Sequence, residues 1–107
     1  MNLYINTNDE LEKYIKLENK LTLFLCAHWC PPCRVMTPIF GALAEDAKYS
    51  NIKFAKVDID QFKDHPVVQK IPGVPTFITY LKGEQQSMFS GPDPMQLKLT
   101  LDYLAQS

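Results

Sequence analysis

The chain has 107 residues, of which 46% are hydrophobic and 11% aromatic, and its formal net charge is −1. This length supplies one hydrophobic core, so we expect a single domain over residues 1–107. Because the charge is nearly balanced, there is no electrostatic reason to expect nucleic acid or a membrane surface as a partner.

We expect neither a targeting leader nor a membrane span. The first six residues lack a basic segment followed by an apolar core, and no apolar run approaches the ~20 residues of a transmembrane helix. The expected location is therefore the cytoplasm. In that reducing compartment a pair of closely spaced cysteines is more often redox-active than a structural staple.

The first part of the chain predicts a strand, a helix and a second strand. Residues 3–5 form a short strand, and Thr7 followed by Glu10 is a capping box that opens a helix. Residues 21–27 are a nearly continuous apolar run, which is typical of a central parallel strand covered on both faces. The apolar stripe of the predicted helix consists of Leu11, Tyr14, Ile15 and Leu17.

Two cysteines separated by two residues, Cys30 and Cys33, follow this second strand. If Cys30 closes the turn after the strand, Pro32 lies in the first turn of a helix, where its missing N–H costs nothing. Cys30 then faces the helix N-terminus, where free N–H groups and the helix dipole stabilise a thiolate. Cys33 lies one turn further, on the inner side. A surface nucleophile with a sheltered resolving thiol is what reversible dithiol–disulfide exchange requires.

Three other interpretations of the cysteines are less favourable. The first is that Cys30 and Cys33 are ordinary small hydrophobic residues. Their position in a strand–turn–helix context argues against it. A zinc site needs about four ligands, and beyond Cys26 the chain offers only His28 and His65, so we expect no metal. The spacing from Cys26 also matches the cluster ligands of radical enzymes that use S-adenosylmethionine. Those enzymes need a large barrel domain that this chain is too short to form.

The middle of the chain predicts a helix, a strand and two short turns. The helix starts near Cys33, and Pro38 inside it should produce a kink. The strand covers residues 52–58 and carries Lys56 where the sheet interior is expected. Asp60 is the predicted cap of a short helical turn, and Pro66 begins another.

The last part predicts a hairpin and a helix. Residues 76–81 and 86–89 are the strands of the hairpin, joined by a turn at 82–84. Asp93 as N-cap and Pro94 at the first helical position open the final helix. The predicted fold class is α/β, with the order β-α-β-α-β-α-β-β-α.

Several motifs with matching spacing resemble those of the thioredoxin family, and the resemblance covers the whole chain. The motifs are Trp29-Cys30-Pro31-Pro32-Cys33, Pro38, Lys56-Val57-Asp58-Ile59-Asp60, Val74-Pro75-Thr76-Phe77, Lys82-Gly83-Glu84 and Gly91. The resemblance implies the thioredoxin fold, a central mixed β-sheet flanked by helices. It also implies a thiol–disulfide oxidoreductase that reduces protein disulfides, with no cofactor of its own. A flavin-containing thioredoxin reductase drawing on NADPH would supply the electrons, and we expect a monomer.

The resemblance also implies roles for the site residues. Cys30 attacks the substrate disulfide and Cys33 resolves the mixed disulfide. A turn ending in a cis proline, Pro75, pairs with the substrate backbone beside Trp29. The residues expected to support the active site are Trp29, Pro31, Pro32 and Lys56. Those expected to bind substrate are Trp29, Gly73, Val74 and Pro75.

Three departures from the family pattern are informative. Pro31 replaces the usual glycine, which gives the Pro-Pro pair also found in tryparedoxins and nucleoredoxins. Phe24 replaces a buried aspartate, and Cys26 stands where a second aromatic residue is usual. Without the aspartate, Lys56 should lack that carboxylate as a partner and reach water along its aliphatic stem. Two alternative functions therefore stay open, a non-catalytic interaction subunit and a tryparedoxin-like carrier fed by a small dithiol.

For four side chains in or near the motifs we weigh a structural against a functional role. We expect Trp29 at the rim of the site, where it would shield the thiolate. Cys26 is expected to be a buried core thiol, with a role in oxidation as the alternative. His28 should be exposed, where its charged form could favour the Cys30 thiolate. His65 is expected to be a loop residue without a role.

Overall fold

The computed structural model describes residues 2–5 and 7–107. The expectation about a leader over the first six residues rests partly on Met1 and Asn6, which lie outside these ranges. Within them the strands are β1 (Asn2–Tyr4), β2 (Lys20–Cys26), β3 (Lys53–Asp58), β4 (Thr76–Leu81) and β5 (Glu84–Ser90). The helices are α1 (Asn8–Leu17), α2 (Pro31–Ala44), α3 (Pro66–Gln69) and α4 (Pro94–Gln106). The predicted order of elements is confirmed.

The strands form one mixed sheet in the order β1-β3-β2-β4-β5. β3 pairs in parallel with both β1 and β2, whereas β4 runs antiparallel to β2 and to β5. β2 lies at the centre, and all seven of its residues are buried. This confirms the strand predicted from the apolar run. No helix in the described part of the chain is long and apolar enough to cross a membrane.

Alternate residues of β2 divide the core between the two faces of the sheet. Phe24 and Cys26 belong to a cluster that β2 shares with α2 and α4. The leucines at the intervening positions of β2 belong to a second cluster, which also includes Leu11 of α1. Val67 and Val68 of α3 pack against this second cluster. The period of two along a strand produces this division.

The helix starts follow the capping signals in the sequence. The N–H of Glu10 donates to Thr7 Oγ1 at 3.1 Å, and the N–H of Gln96 donates to Asp93 Oδ1 at 3.1 Å. α2 begins at Pro31, two residues before the predicted start, because consecutive prolines have the φ that a first helical turn needs. The helix continues through Pro38, and the kink there stays a prediction.

Three other local predictions are wrong in detail. Leu17, at the end of α1, is 72% exposed and does not belong to the apolar stripe. The hairpin turn consists of Lys82 and Gly83, both at positive φ, because a two-residue turn of this hand matches the twist of the strands. Asp58, rather than Asp60, caps the short turn after β3, since its Oδ1 accepts the N–H of Asp60 at 3.0 Å.

His65 lies in the loop before α3, as expected, but the expectation that it has no role is wrong. It is 6% exposed, and its Nδ1 accepts the N–H of Val67 at the start of α3. Its Nε2 lies 2.6 Å from Glu12 Oε1 of α1. Because Nδ1 accepts from the backbone, Nε2 carries the hydrogen that joins the two helices.

Candidate active site

Cys30 and Cys33 form a disulfide at the N-terminus of α2. Cys30 is the N-cap, and its Sγ accepts the N–H of Cys33 at 3.2 Å. The two residues are 3% and 2% exposed. The predicted surface position of Cys30 is therefore wrong for the disulfide form, in which its sulfur is bonded to that of Cys33. The predicted strand–turn–helix context is confirmed, with Pro31 and Pro32 at the first two helical positions.

Trp29 lies at the rim of this site, as expected. The residue is 62% exposed, and its indole Nε1 donates to Asp60 Oδ2 at 3.1 Å. Asp60 thus orients the indole. Sequence reasoning missed this contact because the acceptor lies 31 residues away along the chain.

The second predicted substrate-binding segment packs against the same buried cluster as the cysteines. The Val74–Pro75 peptide bond is cis, as the resemblance implies. Val74 packs against the buried cluster that contains Cys30 and Cys33, whereas Gly73 is exposed. The carbonyl of Pro75 accepts the N–H of Gly91, which ties the segment to the chain beyond β5.

Phe24 belongs to an aromatic cluster that joins β2 to β4 and α2. Its ring is fully buried and stacks on Phe77 with a centroid distance of 4.7 Å and an interplanar angle of 17°. The ring of Phe40 from α2 lies 5.2 Å away at a tilted angle. Stacked and tilted pairs of this kind add stability beyond the burial of apolar area.

Lys56 has specific partners in place of the buried carboxylate that it was expected to lack. Its Nζ donates to Thr37 Oγ1 at 3.1 Å and lies 5.5 Å from the ring centroid of Phe24. The ring of Tyr4 is at a similar distance, 5.4 Å. Thr37 Oγ1 in turn donates to the carbonyl of Cys33 at 2.9 Å. A hydroxyl acceptor and two aromatic faces hold this ammonium group in place.

Cys26 is a buried thiol, as expected. It is 6% exposed, and its Sγ donates to the carbonyl of Val57 at 3.6 Å. Burial raises the pKa of the Cys26 thiol to about 11, with Lys56 acting in the opposite direction and Asp58 adding to the rise. The thiol is therefore protonated at neutral pH.

A cavity of about 370 Å³ lies beside the disulfide, at the carboxyl ends of the parallel strands. Residues from β1, β2, β3 and the first turns of α2 line it, including Tyr4, Cys26, Cys33, Thr37, Lys56 and Asp58. The carboxylate of Asp58 is 19% exposed, and its Oδ2 lies 3.2 Å from Nε2 of His28. The His28 side chain is 91% exposed, as expected.

Sequence reasoning did not single out Asp58 as a site residue. Its signal is its position as the last residue of β3, directly opposite Cys26 in the register of β2 and β3. In the described residues no group of three or more histidine, cysteine or acidic side chains is arranged to hold a metal ion.

Comparisons with known proteins identify a family for the whole arrangement. A thioredoxin family model matches residues 2–103. Thioredoxin-3 of Dictyostelium discoideum is 36% identical over 100 residues, which cover 94% of this chain and 93% of that protein. Thioredoxin of Ovis aries is 36% identical over 87 residues, or 81% of each chain.

Solved structures show the same architecture. Mitochondrial thioredoxin 3 from Saccharomyces cerevisiae, in its oxidised form, superposes with a TM-score of 0.86 at 26% identity, covering 95% of this chain and 94% of that one. A thioredoxin from Malassezia sympodialis has a TM-score of 0.88 at 23% identity, covering 97% and 93%. The latter likeness concerns the fold alone.

Proposed function

Because the chain belongs to the thioredoxin family of thiol–disulfide oxidoreductases, we propose that it reduces protein disulfides through a Cys30/Cys33 dithiol–disulfide cycle. The observation that carries the proposal is the disulfide at the N-terminus of α2, where Cys30 Sγ accepts the N–H of Cys33. A helix N-terminus stabilises negative charge. A thiolate at Cys30 is therefore favoured over one at Cys33.

The cycle has two steps. The Cys30 thiolate attacks a substrate sulfur, which forms a mixed disulfide and releases the first substrate thiolate. Cys33 then attacks Cys30 Sγ, which closes the Cys30–Cys33 bond and releases the second substrate thiolate. Pro31 and Pro32 support the site by fixing the start of α2. Lys56 supports it through Thr37, which donates to the Cys33 carbonyl.

In our proposal two segments bind substrate: Trp29, directly before Cys30, and the segment that precedes β4. The exposed indole of Trp29 offers apolar area at the rim. In the segment Gly73-Val74-Pro75, which precedes β4, Gly73 is exposed, Val74 is half-buried and Pro75 is buried. In our proposal the backbone of this segment pairs with an extended substrate chain.

A thioredoxin reductase that contains flavin and draws on NADPH is the proposed electron donor, and the chain itself needs no cofactor for thiol exchange. We place the protein in the cytoplasm as a monomeric single domain, because a reducing compartment keeps the dithiol available. Its targets are disulfide-containing proteins.

The test is an NADPH-coupled assay with thioredoxin reductase and insulin as the disulfide substrate. The parent protein should sustain NADPH oxidation, and Cys30→Ser should abolish it. Absence of turnover by the folded parent would contradict the proposal and favour a non-catalytic interaction subunit. Turnover only when a small dithiol replaces the reductase would instead identify a tryparedoxin-like carrier.

A further inference from the structure

The thiol of Cys33 must lose a proton before it can resolve a mixed disulfide, yet Cys33 is 2% exposed. The buried cluster that contains it also contains the rings of Phe24 and Phe40, which cannot accept a proton. Cys33 also lines the cavity of about 370 Å³. A water occupies about 30 Å³ of liquid volume, so this cavity has room for a chain of water molecules.

The carboxylate of Asp58 lines the same cavity. Its Oδ1 accepts the N–H of Asp60 at 3.0 Å, and its Oδ2 lies 3.2 Å from His28 at the exposed end. The ionisable groups around it come from each neighbouring element, namely Tyr4 of β1, Cys26 of β2, Lys56 of β3, Asp60 of the following turn, His28 of the loop and Arg34 of α2.

Among these groups Asp58 is best suited to accept a proton. Lys56 and Arg34 are cations that already act as donors, to Thr37 Oγ1 and to the carbonyl of His28. Burial keeps Cys26 protonated. Asp58 alone of the cavity-lining groups combines a negative charge with a largely sheltered position, where a carboxylate is a stronger electrostatic partner than in bulk water.

We propose that Asp58 accepts, through water in this cavity, the proton that Cys33 releases when it resolves the mixed disulfide. The inference rests on the proposed function. The freed electron pair on Cys33 Sγ forms the bond to Cys30 Sγ, and the bond between Cys30 and the substrate sulfur breaks. The departing substrate thiolate takes a proton from solvent. Asp58 then passes its proton to solvent at the cavity mouth beside His28.

Asp58→Asn is the informative variant. The asparagine keeps an oxygen that can accept the N–H of Asp60, so the turn after β3 is preserved, but it removes the proton acceptor. Asp46→Asn is a matched control, because Asp46 Oδ1 caps another short turn through the N–H of Lys48 at 2.9 Å. Asp46 does not line the cavity. Asp58→Glu restores a carboxylate.

The experiment mixes each reduced protein with dithiobis(nitrobenzoate), whose thiolate product is coloured, in a stopped-flow instrument. The first equivalent of thiolate reports attack by Cys30, and the second reports resolution by Cys33. In Asp58→Asn the first phase should change less than about twofold, whereas the second should slow by about 100-fold, the lower end of the usual contribution of a positioned base. Asp58→Glu should recover part of the rate, and Asp46→Asn should match the parent.

The pH dependence separates proton transfer from a structural role. In Asp58→Asn the second phase should rise about tenfold per pH unit, because hydroxide in solvent must deprotonate Cys33, whereas the parent should show a shallower slope. The inference would be overturned if the second phase had the same rate and the same pH slope in the parent and in Asp58→Asn. If Asp58→Asn does not fold by circular dichroism, a parent slope of tenfold per pH unit overturns it instead. A parent without a first phase would contradict the proposed function.

Discussion

At the scale of single residues, position along α2 decides what each thiol can do. Cys30 caps the helix and its sulfur accepts a backbone N–H, whereas Cys33 lies inside the first turn and donates that N–H. The two cysteines are equally buried as a disulfide, so their difference is electrostatic rather than one of access. Replacing either cysteine by serine should reveal this electrostatic difference between Cys30 and Cys33.

Cys33→Ser should accumulate mixed disulfides with substrate proteins, whereas Cys30→Ser should accumulate none. The attacking thiol is intact in the first variant and absent from the second. Non-reducing gels of lysates treated with each variant give the measurement. Equal trapping by the two variants would contradict the assignment of Cys30 as nucleophile.

Cys26 should resist alkylation by iodoacetamide in the folded protein. Its pKa of about 11 leaves little thiolate at neutral pH, and the modification rate should rise with pH through that value. Mass spectrometry after timed alkylation of the oxidised protein isolates this thiol, because the other two cysteines are bonded. Urea-unfolded protein provides the control, and rapid modification of the folded form would contradict the burial argument.

At the scale of elements, β2 joins the aromatic cluster to the active site. Phe24 of β2 stacks on Phe77 of β4 and lies beside Phe40 of α2, so one ring connects these two neighbouring strands to the helix that carries the disulfide. The ammonium of Lys56 over the same ring adds an attractive contact. A change at Phe24 therefore affects both stability and thiol chemistry.

Phe24→Asp should lower the free energy of unfolding by about 3–5 kcal/mol for the lost ring, with a further penalty for the buried carboxylate. Lys56 offsets part of that penalty. In the folded variant the new base should shorten the lifetime of the mixed disulfide. Urea denaturation and the two-phase kinetics described above measure both effects. Phe24→Leu is the control, since it should resolve at the parent rate, and a folded Phe24→Asp that resolves no faster would contradict this expectation.

His65→Ala should destabilise the protein by about 1–2 kcal/mol, because it removes the cap of α3 and the contact with Glu12 of α1. His28→Ala is the matched control, since the side chain is 91% exposed and its loss should change stability by less than about 0.5 kcal/mol. Chemical denaturation of both variants gives the comparison. If His65→Ala lost as little unfolding free energy as His28→Ala, the His65 contacts would not contribute to stability.

At the scale of the whole molecule, alkaline pH should destabilise the fold. Burial raises the pKa of Tyr80 to about 12, and burial with the hydrogen bond to Asp102 also raises the pKa of Tyr49. Each group, like Cys26, keeps its proton in the folded state at a pH where the unfolded chain has lost it. Its contribution is therefore complete below the unfolded pKa and is lost as pH rises through the folded value.

The free energy of unfolding should consequently fall as pH increases from about 9, the lowest of the ordinary pKa values involved. Urea denaturation at a series of pH values measures this decline. Tyr80→Phe removes one of the contributing groups, so its decline should be shallower than that of the parent. A stability that stays constant up to pH 11 would contradict the assigned shifts.

Features that the sequence predicted well depend on local patterns, and those it missed depend on tertiary neighbours. The apolar run was sufficient to place β2, because a strand covered on both faces leaves that signature. Asp58 faces the cavity only once β3 has paired with β2. His65 finds its partner Glu12 across 53 residues, which no local pattern encodes.

Tyr4, the last residue of β1, and Ile5, which follows it, form one wall of the cavity. This edge strand has three residues and pairs with the sheet through β3. In the described part of the chain only three backbone pairings join β1 to β3, and local unfolding of so short a segment requires less free energy than global unfolding. Brief detachment of β1 would therefore bring bulk water to the Cys33 thiol while the rest of the sheet remained folded. The rate of proton exchange at the Cys33 thiol would then depend on how often β1 detaches from the edge of the sheet.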